Sequence, residues 1–427
     1  MRRTLVALDG SGASPRLPSD GAPRIALYSH DTCGLGHLRR NLLMAEVLAA
    51  APLGARVLAI AGAAEAKLFP VSDGVDCLTL PALAKGSDGS YHTRSLGVEL
   101  AELIRIRSAT MRAALKAFRP DVLVVDKVPR GALGELDPLL TELERGGRTR
   151  LVLGLRDVLD DPAMVRAEWQ EGRYEETIDR YYDAVWIYGD RDVYDLAEQC
   201  DLAASVRRKV HYTGYLRRPP RGDVTSHASG GPLILCMVGG GQDGASLAES
   251  FASAQLPVGA RAIMITGPFM PEESRRRIRE LCRNRVELEV REFVSDPDEL
   301  IAAADRVIAM GGYNTVCEVL SHGKPFLVVP RVTPRKEQLI RAQCLRDLDL
   351  LELCHPDLAS PGALSEWMAK DPEPPTVDAS ERVDFGGLDR VRALAARLLA
   401  PQSTTPARPP HTYAAATTAR RTSFLPD

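Results

Sequence analysis

Apolar positions along this chain fall into short continuous runs separated by longer stretches with helical spacing. The first run is residues 24–29 (RIALYS), and similar runs follow at residues 55–61, 121–126, 151–155 and 184–188. Between the runs, stretches such as residues 37–50 and 96–118 repeat apolar residues every three or four positions, as one face of a helix does. Apolar strands that alternate with helices are typical of a parallel sheet covered on both faces. The first half of the chain therefore predicts an α/β domain.

The same alternation restarts in the second half after one interruption. Residues 217–232 (RRPPRGDVTSHASGGP) are rich in Pro, Gly and Ser and contain no periodic apolar residues, which is typical of a linker. Strand-like runs then follow at residues 233–238, 261–266, 286–293, 306–309 and 326–329. A chain of 427 residues also exceeds the usual size of one hydrophobic core. We expect two doubly wound domains, residues 24–217 and 233–385, joined by a linker at residues 218–232.

The two ends of the chain differ from these domains in composition. Residues 1–23 include a stretch rich in Gly, Ser and Pro, and residues 401–427 are rich in Thr, Ala, Pro and Arg. Such segments cannot bury a core, so we expect a flexible leader and a disordered tail. Between the second domain and the tail, residues 386–400 carry apolar positions at helical spacing and predict a terminal helix.

The overall composition excludes several classes of protein. With 45% hydrophobic and 26% charged residues, the chain is globular rather than fibrous or wholly disordered. A net charge of −3 gives no basic excess, so we expect no nucleic-acid partner. The eight cysteines contain no C-x-x-C pair that would indicate zinc or redox chemistry, and a reducing compartment suits them best.

No apolar stretch suits insertion into a membrane. Spanning a bilayer takes about 20 consecutive apolar residues, and no run in this sequence approaches that length. The apolar run near Met1 is also too short for a signal peptide. The expected location is the cytoplasm, and peripheral contact with the inner face of the membrane stays open.

A first glycine turn, residues 33–37 (CGLGH), joins the first strand to the first helix. Gly34 and Gly36 allow a ligand to approach the backbone, and ligands of doubly wound sheets bind beyond the carboxyl ends of the strands. His37 would project into that crevice, where its ordinary pKa near 6.5 suits a general base. The alternative is a histidine that only caps or packs. Arg40, three residues later, is a candidate for contacting phosphate or for an ion pair.

A second glycine turn, residues 239–244 (GGGQDG), follows a strand and opens a helix. It matches the dinucleotide pattern G-x-G-x-x-G. That pattern requires an acidic residue about 20 positions later to bind ribose, and the next strand ends in Thr266-Gly267-Pro268 instead. A phosphate-facing loop formed by Gly239, Gly240, Gly241 and Gln242 is therefore the better interpretation.

The third turn is the longest and comprises residues 311–318 (GGYNTVCE), followed by residues 323–325 (GKP) and 336–338 (KEQ). Paired glycines allow a sharp turn between strand and helix. Thr315 and the helix N–H groups are suited to a phosphate, and Glu318 lies one turn later on the same face, where it can accept both hydroxyls of a ribose. The alternative is a capping box, in which Thr315 caps the helix and Glu318 folds back onto its start.

The run GGYNTVCE…GKP…VP…EQ…RA resembles the donor-site signature of glycosyltransferase family 28, whose best-known member is the MurG-type N-acetylglucosaminyltransferase of peptidoglycan synthesis. The resemblance is strongest over residues 233–349. It implies a GT-B fold, in which two Rossmann-like domains face a central cleft and the C-terminal domain binds a nucleotide sugar.

The resemblance also implies roles for individual residues. Thr315 would meet the diphosphate, Glu318 the ribose hydroxyls and Gln338 the sugar, and the loop from Gly239 would lie near the diphosphate. His37 corresponds to the histidine that ends the family's N-terminal glycine loop. The remaining residues of the implied donor site are Phe293 and Val294, which match the segment that reads the base, and Gly311, Gly312 and Asn314.

The N-terminal half departs from the family pattern. Its loop is CGLGH rather than GGTGGH, and Arg341 stands where the family commonly has Asn. No match covers the acceptor side, for which the strand ends supply the candidates Gly34, Gly36, Arg40, Arg156 and Asp157. For Asp126, Arg156 and Asp157, lining of the cleft and ordinary ion pairing remain equal alternatives. These departures argue against a peptidoglycan substrate.

The expected reaction is inverting transfer of a hexose-type sugar from a nucleoside diphosphate, UDP being favoured, to an acceptor hydroxyl. Either His37 or Asp126 would remove the acceptor proton, and helix N-termini would stabilise the leaving diphosphate. We expect no cofactor and no metal, because no D-x-D motif lies in a suitable loop and the nucleotide sugar is a co-substrate. Lipid-linked and polysaccharide acceptors both stay open.

Two other functions are consistent with the same motifs. Some nucleotide-sugar hydrolases of sialic-acid-type pathways share a Gly-x-Gly-His-x-x-Arg loop, which Gly34, Gly36, His37 and Arg40 match; His37 would then activate water. A non-catalytic protein that binds nucleotide sugars would retain the donor site and turn nothing over.

Overall fold

The computed structural model describes residues 21–29, 35–62, 66, 69–85, 90–218, 231–371 and 378–400. Most of the predicted leader, most of the predicted linker, the predicted tail and Gly34 lie outside these residues. The described residues form two α/β domains, each built around a parallel sheet. This architecture confirms the predicted fold class.

The first domain is built on a seven-stranded parallel sheet. The strands of this domain are β1 (Arg24–Ser29), β2 (Arg56–Ala61), β3 (Val75–Thr79), β4 (Leu83–Lys85), β5 (Tyr91–Thr93), β6 (Val122–Asp126), β7 (Arg150–Arg156), β8 (Ala184–Tyr188) and β9 (Val210–Tyr212). The sheet order is β3-β2-β1-β6-β7-β8-β9, and β4 and β5 form a separate antiparallel hairpin. Strands β6 and β8 are buried along their whole length because apolar side chains occupy both faces.

The helices of the first domain cover this sheet. They are α1 (Gly36–Ala49), α2 (Leu100–Phe118), α3 (Asp137–Gly146), α4 (Pro162–Gly172), α5 (Tyr174–Tyr181), α6 (Leu196–Gln199) and α7 (Ala204–Arg207). α1 buries the predicted face that includes Leu38, Ala45 and Leu48, since these residues recur at helical spacing. α4 begins at a proline and is capped by Asp161, which accepts a hydrogen bond from the Ala163 N–H.

The second domain repeats this plan with a six-stranded parallel sheet. Its strands are β10 (Leu233–Met237), β11 (Arg261–Ile265), β12 (Leu288–Arg291), β13 (Arg306–Ala309), β14 (Phe326–Val328) and β15 (Glu352–Leu353), in the sheet order β12-β11-β10-β13-β14-β15. The helices that follow are α8 (Ala245–Ser253), α9 (Glu272–Cys282), α10 (Asp298–Ala303), α11 (Tyr313–Ser321), α12 (Glu337–Arg346), α13 (Pro361–Ala369), α14 (Ala379–Arg382) and α15 (Gly387–Leu399). In the described part of the chain, no helix combines the length and apolarity needed to cross a bilayer.

Each sheet reverses its strand order at one position. In the first domain the reversal lies between β1 and β6, and in the second it lies between β10 and β13. Connections leave these neighbouring strands in opposite directions, which opens a crevice beyond their carboxyl ends. Gly36, at the start of α1, and the predicted glycine turns before α8 and α11 all lie at such ends. Topology alone therefore places the candidate motifs at two crevices.

The last helix of the described residues, α15, returns to the first domain. α15 packs against α1 and buries Val391, Leu394 and Ala395. Just before it, the Tyr215 N–H donates to the Asp384 carbonyl at 2.7 Å. The predicted terminal helix is thus a structural part of the first domain, and the chain passes between the domains twice.

Apart from the separate hairpin of β4 and β5, the strands that the sequence pattern missed or misjudged lie toward the sheet edges. β3, β9 and β15 occupy edge positions and are short or only partly buried, so they lack a continuous apolar run. β12 covers four residues of the predicted run 286–293 because that run is itself at an edge, where Val286 is fully exposed. Apolar runs predict central strands better because only those are buried on both faces.

Candidate active site

A cavity of about 1070 Å³ lies between the two domains at the carboxyl ends of both sheets. From the first domain it is lined by the start of α1, by the residues that end or follow β6 and β7, and by α4. From the second domain it is lined by the glycine turns before α8 and α11 and by the start of α12. The predicted site residues in its wall are Gly36, His37, Arg40, Arg156, Gly239, Gly240, Gly241, Gln242, Phe293, Val294, Gly312, Asn314, Thr315, Glu318 and Gln338.

On the first domain's wall, His37 is held by a buried charged pair. His37 Nδ1 lies 2.7 Å from Asp126 Oδ2, and Arg40 Nη2 donates to both oxygens of Asp126 at 2.7 and 2.6 Å. Arg40 Nη2 also lies 3.1 Å from His37 Nδ1. An ionised carboxylate only accepts hydrogen bonds, and the contact from Nδ1 to Asp126 is shorter than the contact from Nδ1 to Arg40. Nδ1 therefore carries the ring proton and donates a hydrogen bond to Asp126. The lone pair of the neutral ring is therefore on Nε2.

Burial decides the protonation of this group. Removal from water lowers the pKa of His37 from 6.5 to about 4, although the neighbouring Asp126 charge acts in the opposite direction. Burial alone would raise the pKa of Asp126, but the charges of Arg40 and His37 outweigh it and hold that pKa well below its usual range. At neutral pH, His37 is uncharged and Asp126 is ionised. This is the state in which the imidazole can accept a proton.

Two of the predicted roles around His37 change in this geometry. Asp126 is fully buried and does not line the cavity, so its position allows it to hold His37 through Nδ1 but not to contact a ligand in the cavity. Arg40 is 1% exposed, and its guanidinium lies over the rings of Tyr188 and Tyr313 at 5.5 and 5.6 Å. Because its charge is already committed to Asp126, Arg40 holds the site together rather than contacting a phosphate.

Asp157, predicted as an acceptor-side candidate, is buried and does not line the cavity. Its carboxylate accepts hydrogen bonds from Arg341 Nε at 2.7 Å and Arg341 Nη2 at 2.6 Å, and both side chains are buried. Arg341 Nη1 also donates to the Gly311 carbonyl at 2.9 Å. The pair joins the two domains beneath the cavity. This contact explains the arginine at the position where the family commonly has Asn, because the residue here has an ionic partner across the interface.

On the second domain's wall, the loop from Gly239 to Gln242 is shaped by glycine backbones. Gly239 and Gly241 have φ values of +64° and +88°, which favour glycine. A Cβ on Gly241 would lie 2.2 Å from the Thr266 carbonyl oxygen. The loop therefore packs flat against the end of β11 and turns the chain toward the start of α8.

The turn before α11 also depends on close backbone packing. A Cβ on Gly311 would lie 3.1 Å from the Gln338 carbonyl oxygen. Gly312 precedes the helix and no side chain caps it, so the capping-box alternative for Thr315 is wrong. Thr315 is the third residue of α11 and lines the cavity. The first N–H groups of a helix have no intrahelical partners, and these N–H groups lie at the cavity wall.

The two walls touch at Asn314 and Glu318. Asn314 Nδ2 donates to the Gly36 carbonyl, next to His37, at 3.1 Å. Glu318 Oε1 lies 2.8 Å from Arg39 Nη2 of α1, while Glu318 Oε2 is buried without a hydrogen-bond partner among the described residues. Burial raises the pKa of Glu318, and the Arg39 charge opposes that shift. One oxygen of this cavity-lining carboxylate is thus fixed by Arg39, and the other makes no hydrogen bond among the described residues.

Gln338 and Phe293 complete this wall. The Arg331 N–H donates to Gln338 Oε1 at 3.0 Å, which leaves the two amide N–H donors of Gln338 for other partners. Phe293 contacts Phe69 of the first domain edge to face, with ring centroids 5.8 Å apart. Val294 follows in the cavity wall. A flat group that entered between the domains here would meet aromatic edges and backbone.

Several lining residues have partners or conformations that the sequence does not indicate. Arg39 reaches Glu318 only because α1 and α11 meet across the interface, and no motif spans that distance. Lys127 lines the cavity with a φ of +69°, which no local pattern indicates. Glu337 is buried and is bound by Arg331. The sequence indicates Glu337 only through its place in the KEQ segment, residues 336–338, of the predicted donor site.

Comparison with known proteins agrees with this geometry. Residues 234–373 match the glycosyltransferase family 28 C-terminal domain, which covers most of the second domain. A protein of Methanosarcina acetivorans named as an uncharacterized glycosyltransferase is 24% identical over 305 residues, covering 70% of this chain and 77% of the relative. The alignment therefore extends beyond the second domain.

Solved structures with the same fold include two that cover almost this whole chain. LpCGTa in complex with UDP has a TM-score of 0.56 at 14% identity, covering 89% of this chain and 100% of the other. MurG of Acinetobacter baumannii has a TM-score of 0.50 at 16% identity, covering 88% and 95%. At such low identities these structures establish the fold and no more. The fold is therefore GT-B. The match over residues 234–373 and the relative named as a glycosyltransferase identify the chain as a glycosyltransferase whose second domain is similar to the family 28 C-terminal domain.

Proposed function

We propose that this enzyme transfers a hexose-type sugar from a UDP-sugar to an acceptor hydroxyl, with inversion at the anomeric carbon and release of UDP. One observation carries the proposal: a neutral, Asp126-oriented His37 and the open N-terminus of α11 line the same cavity from opposite domains. A base on one wall and a site for a leaving group on the other suit a single displacement. Because the nucleophile then enters opposite the leaving group, the configuration inverts.

In the proposed step, the acceptor oxygen attacks the anomeric carbon of the donor. The acceptor proton passes to Nε2 of His37 as the new C–O bond forms, and the bond from the anomeric carbon to the diphosphate oxygen breaks with its electron pair leaving on the diphosphate. Asp126 stabilises the imidazolium that forms, because its carboxylate is ionised and 2.7 Å from Nδ1. Arg40 keeps Asp126 in place.

The leaving diphosphate would be stabilised by the second domain. The N–H groups that open α11, the Thr315 hydroxyl and the glycine loop before α8 line one side of the cavity. A helix N-terminus carries about half a positive charge, which favours an anion placed there. These groups can do the work of a metal ion, so we propose a metal-independent reaction. Complete loss of activity with EDTA, restored by one added divalent ion, would contradict this proposal.

The donor would lie with its ribose at Glu318. The unpartnered Oε2 can accept a ribose hydroxyl while Arg39 holds Oε1, Gln338 offers amide donors to the sugar, and the segment at Phe293 and Val294 flanks the base. UDP is the favoured nucleotide because LpCGTa, which shares the fold, has a structure in complex with UDP.

Ligand-induced stabilisation tests the donor assignment. A ligand that binds only the folded chain raises its apparent stability, so UDP should raise the melting temperature of the wild type more than ADP or GDP does. Glu318→Ala should remove most of that increase. Glu366→Ala, an exposed carboxylate on α13, is the matched control and should retain it. Equal shifts with UDP in Glu318→Ala and wild type would exclude the ribose role.

Product analysis separates transfer from the alternatives. A transferase should consume UDP-sugar slowly when no acceptor is present and rapidly when a correct acceptor is added. The glycoside that forms should have the anomeric configuration opposite to that of the donor. Release of free sugar at the same rate with and without acceptors would indicate a hydrolase in which His37 activates water. Tight UDP-sugar binding with no turnover, unchanged in His37→Ala, would indicate a non-catalytic binding protein.

A further inference from the structure

Two cations on the first domain's wall stand apart from the proposed donor contacts. Lys127 directly follows Asp126 at the end of β6, and Arg156 ends the neighbouring strand β7. The Lys127 N–H donates to the Gly154 carbonyl at 2.7 Å, which ties the two strand ends together. Both residues line the cavity. They are therefore fixed on the wall that carries His37.

These two cations lack the close carboxylate partners that other cavity arginines have. Among the described residues, neither the Lys127 ammonium nor the Arg156 guanidinium makes a hydrogen bond, and Arg156 Nε is buried without a partner. The nearest carboxylate oxygen is Glu337 Oε1, 3.9 Å from Arg156 Nη1. The other cavity arginines form close pairs: Arg39 with Glu318, Arg40 with Asp126, Arg331 with Asp243 and Glu337, and Arg335 with Asp160 and Glu168.

The surroundings of Lys127 and Arg156 favour an incoming anion. Burial, with the charges of Arg156 and Arg335, lowers the pKa of Lys127 to about 7. Glu168 and Glu337 act in the opposite direction, but each is already paired with another arginine. Burial likewise lowers the pKa of Arg156 to about 10. Both shifts mean that the protonated forms of Lys127 and Arg156 are destabilised in the cavity. A bound anion would stabilise these protonated forms. Glu171, also at the cavity, is exposed on α4, where water screens its charge.

We propose that Lys127 and Arg156 bind an anionic group of the acceptor, a carboxylate or a phosphate, and so place its hydroxyl against His37. This inference rests on the proposed function. It assigns the pair to the acceptor because Lys127 adjoins the residue that orients the base, whereas the donor phosphates have their own N–H groups on the opposite wall. A planar guanidinium beside a point-charge ammonium suits either anion.

Calorimetric titration with phenyl phosphate, benzoate and phenol tests the anion site on the full chain. UDP is present at saturation, so that the proposed diphosphate site is filled. Phenyl phosphate or benzoate should bind, and phenol should not. The anion that binds more tightly shows whether the acceptor's anionic group is a phosphate or a carboxylate. Absence of anion binding to the UDP-saturated wild type would overturn the proposal.

Variants locate the binding. Lys127→Met and Arg156→Met should each weaken the anion about tenfold or more, as removal of one partner from a desolvated ion pair does. Lys116→Met, an exposed lysine on α2, should change nothing. UDP affinity should be unaltered in all three variants. Anion binding that survives both substitutions, or UDP affinity that falls with them, would overturn the assignment to the acceptor.

The two proposals fail in different ways. If the wild type shows no stabilisation by UDP, the donor assignment fails, and phenyl phosphate titrated alone still reports whether Lys127 and Arg156 bind anions. If UDP binds and the anions do not, the donor assignment stands and the acceptor inference fails. Retained UDP stabilisation in Lys127→Met also shows that the variant is folded.

Discussion

At the β1–β6 junction the chain places a histidine and two buried charged side chains, whereas at the β10–β13 junction it places glycines and the start of a helix. Both junctions are the reversal point of a parallel sheet. The first wall acts through side chains whose pKa values are set by burial and pairing, as in His37 and Asp126. The second acts chiefly through backbone geometry, as at Gly241 and Gly311.

This difference explains what each wall is suited to do. The diphosphate has the same charge and a similar shape in every nucleoside diphosphate sugar. One rigid set of backbone N–H groups can therefore bind it whichever sugar is attached. Proton removal requires a group that changes charge, and only a titratable side chain supplies that. In the proposed mechanism, the first domain's wall therefore carries the reactive side chain His37, and the proposed anion site at Lys127 and Arg156 lies on the same wall.

The largest expected effect is on the first wall. His37→Ala should lower kcat by about 10²- to 10⁴-fold because it removes the proposed general base. UDP affinity should stay at the wild-type value, since His37 belongs to the other wall. Steady-state kinetics with UDP titration checks both. His92→Ala, exposed on β5, is the control, and a kcat loss below tenfold would remove His37 from the mechanism.

The next effect concerns the contact that joins the walls. Arg341→Leu should lower the free energy of unfolding by about 3–5 kcal/mol because it leaves Asp157 charged, buried and unpaired. Urea denaturation measures this loss. The double variant Arg341→Leu with Asp157→Leu should be more stable than the single variant, since it buries no lone charge. A double variant less stable than Arg341→Leu would show that packing, and not charge, determines this interface.

A glycine substitution tests the second wall. Gly241→Ala should weaken UDP binding by about tenfold, roughly 1.4 kcal/mol, because a Cβ would lie 2.2 Å from the Thr266 carbonyl and the loop must shift. Gly259→Ala is a matched control, because Gly259 also has a positive φ of +77° but open space at its Cβ. Equal UDP affinity in the two variants would mean that the loop does not form the donor site.

A smaller effect is expected at the contact between Arg39 and Glu318. Arg39→Ala should reduce the preference for UDP over 2′-deoxy-UDP by roughly fivefold, about 1 kcal/mol, which is the scale of a partly exposed ion pair. The reason is that Glu318 would lose the cation that fixes its Oε1. Dissociation constants for both nucleotides measure the ratio. Arg276→Ala, exposed on α9, should leave it unchanged.

The smallest expected effect is on the pH dependence of kcat/KM, which should show no change due to His37 near neutral pH. With a pKa of about 4 for His37, kcat/KM should stay level from pH 7.5 to pH 5.5 as far as this group determines it. A fall in kcat/KM below about pH 6.5 that persists when each of the other histidines is replaced would assign an ordinary pKa to His37. That result would contradict the argument that burial lowers its pKa. The unfolded chain binds this proton first as pH falls, so the contribution of His37 to stability is present above about pH 6.5 and is lost as the pH falls through 4.

The sequence predicted the second wall better than the first, for a physical reason. Backbone sites need glycine at fixed positions, so Gly311, Gly312 and Thr315 form a local pattern that can be recognised. Ion pairs need partners that are close in space but far apart in sequence. Asp157 and Arg341 are 184 residues apart, and nothing near either residue distinguishes a cleft-lining carboxylate from a buried one.

The fold follows the same rule. Central strands such as β6 and β8 were found because burial on both faces leaves an apolar run. The edge strand β9 and the return of α15 to α1 were not, because they depend on contacts between distant segments. The pairing of Arg39 with Glu318 belongs to this group as well, since it exists only when the domains are assembled.

The return of α15 has a consequence for the order in which this protein is completed during synthesis. Residues 233–353 contain every strand of the second domain's sheet, so this sheet can form before α15 has been made. The first domain lacks the helix that covers α1 until residue 399 has been made. The part of the chain that is translated first is therefore the last to be complete, and the helix that presents His37 gains its final support only with the last helix.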